Sequence, residues 1–118
     1  MLQSKNPKYD LEERTFNFAQ NVHTYINDLP KSITNNENTK QLARSSGSVA
    51  ANYIEANEAL SKKDFVMRIK ICRKEAKESG LWLKLASPHE TQREKRIYLI
   101  GESIEITKIL GSILEKSK

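Results

Sequence analysis

The stretch of sequence that decides the fold is Gln41 to Glu58, QLARSSGSVAANYIEANE. At about 100° per residue its apolar side chains return to one face every three or four positions, which predicts a helix with one side in a core. That face holds Leu42, Ser46, Val49, Tyr53, Ala56 and, just beyond the stretch, Leu60. Gly47 weakens such a helix by roughly 1 kcal/mol relative to alanine, so we expect a bulky group to approach the backbone there.

A second stripe of small and polar side chains runs beside this apolar face. It holds Gln41, Ser45, Ser48, Asn52 and Ala59, with Arg44 and Glu55 at its flanks. Such side chains either are too short to hold a neighbouring helix away or can hydrogen-bond across the gap. The pattern therefore fits both a close, specific helix contact and ordinary packing with a few solvated serines, and from the pattern alone the two carry equal weight.

Helical periodicity and helix-end signals divide the chain into four helices. The first, residues 10–29, ends at Pro30, and the second, residues 36–60, begins after an N-cap at Asn35 or Asn36. The third, residues 62–86, follows Ser61-Lys62-Lys63-Asp64, which resembles a capping box. The fourth, residues 88–116, follows Ser87-Pro88-His89-Glu90, with serine at the cap and proline at the first helical position.

The fold class follows from these four segments. No segment alternates with period two over the length of a strand, so the sequence predicts an all-α protein. Four long helices with short connections indicate an antiparallel up-down-up-down four-helix bundle. A chain of 118 residues with 37% hydrophobic residues is large enough for one domain, and we expect a single domain over residues 1–118.

Composition limits the cellular setting. No apolar run approaches the roughly 20 residues that span a bilayer, and the N-terminus has no apolar signal-peptide core. A cytoplasmic protein without membrane contact is therefore expected. The single cysteine, Cys72, allows no intrachain disulfide and no zinc site of paired cysteines, which agrees with a reducing compartment.

The net charge of +5 is concentrated in one segment. Residues 61–87 carry eight lysines and arginines against three acidic residues, while the rest of the chain is balanced. Six of these cations lie opposite the core face of the third helix: Lys63, Lys70, Arg73, Lys74, Lys77 and Lys84. Such a stripe can bind the phosphates of RNA or DNA. Taken alone it favours a solvated face instead, because no aromatic side chains interleave it as stacking platforms.

The third helix also carries a second apolar group outside its core face. We name Met67, Ile71, Trp82 and Leu85 the outer apolar cluster; Glu75 and Glu78 interrupt it. One bundle core does not easily bury both faces, so the cluster is predicted to be a subunit interface of a homo-oligomer, with Trp82 as its anchor. The alternative is a wide core stripe with Trp82 covering one end of the bundle.

Catalytic and metal chemistry find no support in the sequence. The bundle glutamates lack the Glu-x-x-His spacing of paired metal sites, and His23 and His89 are not spaced to share a metal. Cys72 has no identifiable histidine partner, and no glycine-rich phosphate loop is present. We therefore expect a non-enzymatic protein with no cofactor or metal. The polar side chains are better explained as a network joining helices two and three: Arg44, Glu55, Glu75 and Glu78.

One family resemblance rests on these same residues. The run from Gln41 to Leu85 resembles the four-helix-bundle proteins encoded in intervening sequences of bacterial 23S ribosomal RNA genes. The motif positions here are Gln41, Leu42, Arg44, Ser45, Ser48, Val49, Asn52, Glu55, Glu75, Ala76, Glu78, Ser79, Trp82 and Leu83. The similarity extends from about Asp10 to the C-terminus, but little of it falls in SPHETQREKRIYLIGE, residues 87–102.

The resemblance implies a bacterial, cytoplasmic, left-handed antiparallel bundle without known enzymatic activity. Related bundles form homopentameric rings, and one basic pentameric relative binds nucleic acid. The leading hypothesis is therefore a homo-oligomer, a pentamer as the resemblance implies, that engages RNA or DNA through the cations of its third helix. The alternative is a protein-interaction or scaffolding module that binds itself and a protein partner but no nucleic acid.

Overall fold

The computed structural model describes the backbone of residues 7–118 and the side chains of residues 11–118; residues 1–6 of the predicted domain lie outside this range. Four helices follow in order: α1 (Pro7–Asn27), α2 (Ile33–Asn57), α3 (Lys62–Leu85) and α4 (Arg93–Lys116). A short 3₁₀ turn, Glu90–Gln92, precedes α4, and no strand occurs between residues 7 and 118. The predicted all-α four-helix bundle is confirmed.

Side-chain contacts give the direction of the helices. Between α2 and α3, the contacts Asn52 to Arg68 and Asn35 to Ser87 pair falling residue numbers with rising ones, so these helices run antiparallel. Contacts between α1 and α4, such as Arg14 with Glu102, join the first helix of the bundle to the last. Packing is most extensive between α2 and α3 and least extensive between α1 and α4. The handedness of the bundle stays a prediction.

The core contains one contiguous apolar cluster with small polar side chains set into it. All four helices contribute fully buried residues, among them Phe18, Val22, Leu42, Val49, Ile69, Cys72, Leu83, Leu99, Ile106 and Leu110. Ser45, Ser79 and Ser103 are buried too, and each hydroxyl is within hydrogen-bonding distance of a main-chain carbonyl of its own helix. This removes the cost of burying the hydroxyls and lets the helices approach closely.

Helix α2 begins and ends earlier than the sequence predicted. Ser32, not Asn35 or Asn36, is the N-cap, and its side chain accepts a hydrogen bond from the Asn35 main chain. The helix ends at Asn57 because the chain needs a few residues to reverse before Ser61, which adopts an extended conformation to cap α3. As a consequence Leu60, predicted on the core face, is 98% exposed.

The remaining differences in helix ends lie in α1 and in the connection before α4. Helix α1 starts at Pro7 and stops at Asn27, two residues short of the buried Leu29. Helix α4 starts at Arg93 rather than at residue 88. Ser87 does not cap it, because the Ser87 N–H donates to the Asn35 side chain at 2.8 Å and so ties this connection to α2.

The close backbone approach predicted at Gly47 is found at another glycine. No heavy atom would lie within 4 Å of a side chain added at Gly47, so nothing bulky packs there. At Gly80 of α3, an added Cβ would lie 2.9 Å from the Ser103 Oγ of α4. The close approach to a glycine therefore occurs at Gly80, between α3 and α4.

Candidate functional site

The polar stripe of α2 meets α3 through a pair of buried serines. The Ser45 and Ser79 hydroxyls are 2.8 Å apart, and the Ser79 hydroxyl lies 2.9 Å from the Glu75 carbonyl oxygen. Either hydroxyl can be the donor in this pair, because the Ser45 hydroxyl also lies 3.4 Å from the Leu42 carbonyl oxygen. Because both hydroxyls are buried and paired, the stripe forms a close, specific helix contact rather than a row of solvated serines.

Arg44 lies at the edge of this contact and binds two acidic residues of α3. Its guanidinium donates to both carboxylate oxygens of Glu75, at 3.2 and 3.3 Å, and lies 3.7 Å from Glu78. The hydrogen bonds to Glu75 raise the pKa of Arg44 above its ordinary value. Since Glu75 is buried, Arg44 is the cation that compensates its charge.

The rest of the predicted network is organised around a residue that the sequence reasoning did not single out. Arg68 of α3 donates to the Asn52 side chain at 3.1 Å and lies 4.0 Å from Glu55. Asn52 in turn donates to the Ser48 hydroxyl and carbonyl oxygens, both at 2.9 Å. Gln41 is exposed and makes no side-chain hydrogen bond within residues 11–118. All four predicted network residues thus lie at the α2–α3 contact, together with three residues of the small polar stripe of α2: Ser45, Ser48 and Asn52.

All six predicted cations of α3 are exposed on the side away from α2. We name Lys63, Lys70, Arg73, Lys74, Lys77 and Lys84 the basic face. At about 1.5 Å per residue it extends for roughly 30 Å along the helix. None of the six forms an ion pair with any other residue of the described part of the chain, and Arg73 extends over α4 at Gly111.

The positions of the acidic residues of α3 explain why the positive charge of the basic face is not neutralised within the helix. Glu75 and Glu78 point towards α2, where Arg44 holds them, and Asp64 lies in the first turn, where its main chain is capped by Ser61. Six of the eight cations of α3 therefore lie on its solvent side, while two of its three acidic residues, Glu75 and Glu78, lie at the contact with α2. A field of one sign results along the basic face.

A groove runs between α3 and α4 within this basic surface. Its volume is about 320 Å³, and its floor lies at the close contact of Gly80 with Ser103. The walls are aliphatic and the rim is basic, with Leu81, Lys77 and Lys84 from α3 and Ile100, Ile104, Thr107 and Lys108 from α4. Leu81 and Ile104 are 48% and 46% exposed, so the groove combines accessible aliphatic surface with lysine side chains.

The outer apolar cluster is only partly exposed. Met67 and Leu85 are about half exposed, Ile71 is partly buried, and Trp82 packs against the core. The Trp82 indole nitrogen is covered but has no hydrogen-bond partner among the described residues. The ring therefore lies partly within its own bundle while its neighbours face solvent.

The groups considered for catalysis or metal binding lie apart from one another. Cys72 is buried and donates to the Val49 carbonyl oxygen, and burial raises its pKa to about 12, which disfavours the thiolate needed for nucleophilic chemistry. Between residues 11 and 118, no three histidine, cysteine or acidic side chains cluster as a metal site would require. No helix of the described chain is long and apolar enough to cross a membrane.

Three further structural residues, besides Arg68, escaped the sequence reasoning. Asn35 was considered only as a cap, Arg14 binds Glu102 across α1 and α4 at 2.8 Å, and Gly80 packs against Ser103 of α4. No local signal marked Gly80, since Gly47 also has serines beside it in the sequence and yet has no close neighbour. Arg14 and Glu102 are 88 residues apart, and no local pattern connects them.

Comparison with known proteins adds a family to this geometry. Residues 8–112 match the family described as 23S rRNA-intervening sequence protein. Among solved structures, the chain is similar to a protein with unknown function from the S23 ribosomal protein family of Bacteroides thetaiotaomicron VPI-5482. The two are 31% identical with a TM-score of 0.75, over 92% of this chain and 97% of that one. A comparison with curated proteins gave no match.

Proposed function

The chain belongs to the 23S rRNA-intervening sequence protein family, and on that premise we propose that it is a non-enzymatic protein that binds the phosphate backbone of RNA or DNA through the basic face of α3. The observation that carries the proposal is the separation of charge on this helix. Six exposed cations face solvent, while Glu75 and Glu78 are held by Arg44 on the opposite side. A phosphate chain laid along the basic face would therefore not meet Glu75 or Glu78.

Binding of this kind is electrostatic and weakly dependent on sequence. Each neutralised phosphate releases condensed counterions, so the logarithm of the binding constant falls linearly with the logarithm of salt concentration. With six cations available, we expect a slope of up to about −5 on a duplex. The lysine ammonium groups act as point charges and do not read bases directly.

The proposal includes self-association, with five subunits as the expected number. Its support is the exposure of Met67 and Leu85 in the outer apolar cluster beside the basic face, together with the ring assemblies that the resemblance implies. Repetition of the basic face around a ring would multiply its phosphate contacts. A bacterial, cytoplasmic setting belongs to the same proposal, supported by the family and by the single buried cysteine.

The test is a charge reversal on the basic face with a matched control. Lys70→Glu, Lys74→Glu and Lys77→Glu together should abolish binding to a structured RNA fragment and to a random duplex, measured by fluorescence anisotropy over a salt series. The control reverses the exposed Lys31, Lys40 and Lys95, which changes net charge equally away from α3. It should retain most of the affinity, because the local field along α3 is intact.

Two results would contradict the proposal. A flat titration of the wild-type protein even at low salt would make the basic face a solvated surface. Equal losses in the two triple variants would mean that only net charge matters. The first result would favour the alternative, a protein-interaction module, and the exposed Leu81 and Ile104 would then mark the surface to examine for a protein partner. The second result would leave nucleic-acid binding in place but would contradict its assignment to the basic face.

A further inference from the structure

We infer that the groove between α3 and α4 receives an unpaired base of the bound strand, so that the protein prefers single-stranded RNA or DNA to duplex. This inference rests on the proposed function and names its substrate class. Phosphate contacts alone would not distinguish the two forms in this way, because the cations read charge and not base pairing.

The composition of the groove calls for an occupant that is both flat and flanked by negative charge. Leu81 of α3 and Ile104 of α4 contribute aliphatic surface to the groove, and Lys77, Lys84 and Lys108 also line it. Phosphates satisfy the lysines but leave the aliphatic surface in water. A nucleotide offers both parts at once, since its base is planar and apolar on its faces while its phosphates lie on either side.

The size and floor of the groove fit a base better than a protein segment. A volume of about 320 Å³ is at the lower end of small-molecule sites. The contact of Gly80 with Ser103 closes the groove below, so a partner helix could not sink between α3 and α4. A single base can enter from the open side and lie against Leu81 and Ile104.

One hydroxyl group on α4 can recognise the edge of such a base. Thr107 is partly exposed and donates its hydrogen to the Ser103 carbonyl oxygen at 2.7 Å. Its oxygen keeps a lone pair for an N–H group of the base, whereas the Ser103 hydroxyl is buried beneath Gly80. In a duplex those N–H groups are paired and the base faces are stacked, so the groove stays empty and only the phosphate contacts form.

The experiment compares one short single strand with its own duplex by fluorescence anisotropy at matched salt. The wild-type protein should bind the single strand about tenfold more tightly, because an unpaired base covers apolar surface of Leu81 and Ile104 that a duplex leaves in water. Leu81→Ser with Ile104→Ser should reduce single-strand affinity to the duplex value without changing the salt slope. The control, Phe16→Ser with Ile54→Ser, changes side chains of similar exposure that line a different groove and should leave the preference intact.

A change in the oligonucleotide tests the same point without altering the protein. A strand of equal length whose central nucleotides are abasic keeps its phosphates, and it should lose the tenfold advantage. Equal binding of single strand, abasic strand and duplex would overturn the inference while leaving the proposed function standing. A preference that survives loss of Leu81 and Ile104 would also overturn it. Absence of all binding at low salt would instead contradict the proposed function itself.

Discussion

At the scale of single residues, the glycines and serines of this bundle have roles that depend on what lies opposite them. Gly47 was expected to admit a close neighbour and has none, whereas Gly80 lies against Ser103. Both glycines are mid-helix, and no local pattern distinguishes them. The difference arises from the register of α3 against α4, which depends on the packing of the whole core. Sequence could therefore predict that a close contact exists but not at which glycine.

Replacement of Gly80 by alanine should destabilise the protein by about 1–2 kcal/mol. Overpacking costs about 1–3 kcal/mol, and the better helix propensity of alanine returns up to about 1 kcal/mol. The added Cβ would lie 2.9 Å from the Ser103 Oγ, which cannot turn away without losing its bond to Ile100. Chemical denaturation measures the effect. Gly47→Ala, with nothing nearby, should stabilise by about 0.5–1 kcal/mol, and destabilisation of both variants equally would contradict the packing argument.

The buried thiol of Cys72 should make the protein sensitive to alkaline pH. Burial raises its pKa from 9.0 to about 12, and burial also raises the pKa of Tyr25 and Tyr53. Below pH 9 the thiol is protonated in both the folded and unfolded states. Above pH 9 the unfolded chain loses this proton first, so the free energy of unfolding should fall between pH 9 and about 12.

Urea denaturation over a pH series measures this fall. Cys72→Ser removes the titrating group while keeping a donor for the Val49 carbonyl oxygen, so its stability should begin to decline only as the tyrosines titrate. The same onset in the variant and the wild type would rule out the thiol as the cause. In the folded protein at neutral pH, we also expect Cys72 to resist alkylating reagents, because it is buried and protonated.

At the scale of helices, the sequence predicted positions within helices better than their ends. The α2 and α3 periodicities placed Ser45, Glu75 and Arg44 correctly at one contact, because a helix has a fixed repeat. Both ends of α1 and α2 and the start of α4 were misplaced by two to five residues, whereas both ends of α3 and the end of α4 were placed to within one residue. Capping side chains can have tertiary partners instead: Asn35, in the first turn of α2, and Ser87, in the connection before α4, bind each other.

Loss of the Asn35 side chain should destabilise the bundle by about 2–4 kcal/mol. Its amide donates to the carbonyl oxygens of Pro30 and Ser87 and accepts from the Ser87 N–H, all within 2.9 Å. Asn35→Ala leaves these partly buried groups without partners, each at a cost of about 1–3 kcal/mol unless water replaces the amide. Thermal and urea denaturation measure the loss. The exposed neighbour provides the control, since Asn36→Ala should change stability by no more than about 0.5 kcal/mol.

At the scale of the whole molecule, the bundle followed from four amphipathic segments, while its surfaces required the structure. The basic face was visible in the sequence because its spacing is local to α3. The groove was not, since it combines Leu81 and Lys84 with Ile104 and Lys108 of another helix. Its position depends on the antiparallel register of α3 and α4. The charge of the site could therefore be predicted, because it lies on one helix. Its shape could not, because two helices form it.

The assembly of the molecule provides the last prediction, which concerns the outer apolar cluster. If subunits associate through it, Trp82→Ala should lower the assembled mass, because a large aromatic anchor contributes much of the binding energy of an interface. Sedimentation equilibrium measures mass, and circular dichroism must show retained helicity, since Trp82 also packs on its own core. Ile97→Ala, an exposed isoleucine of α4 outside the cluster, should leave the mass unchanged. Unchanged mass in Trp82→Ala with full helicity would instead assign the ring to covering its own bundle.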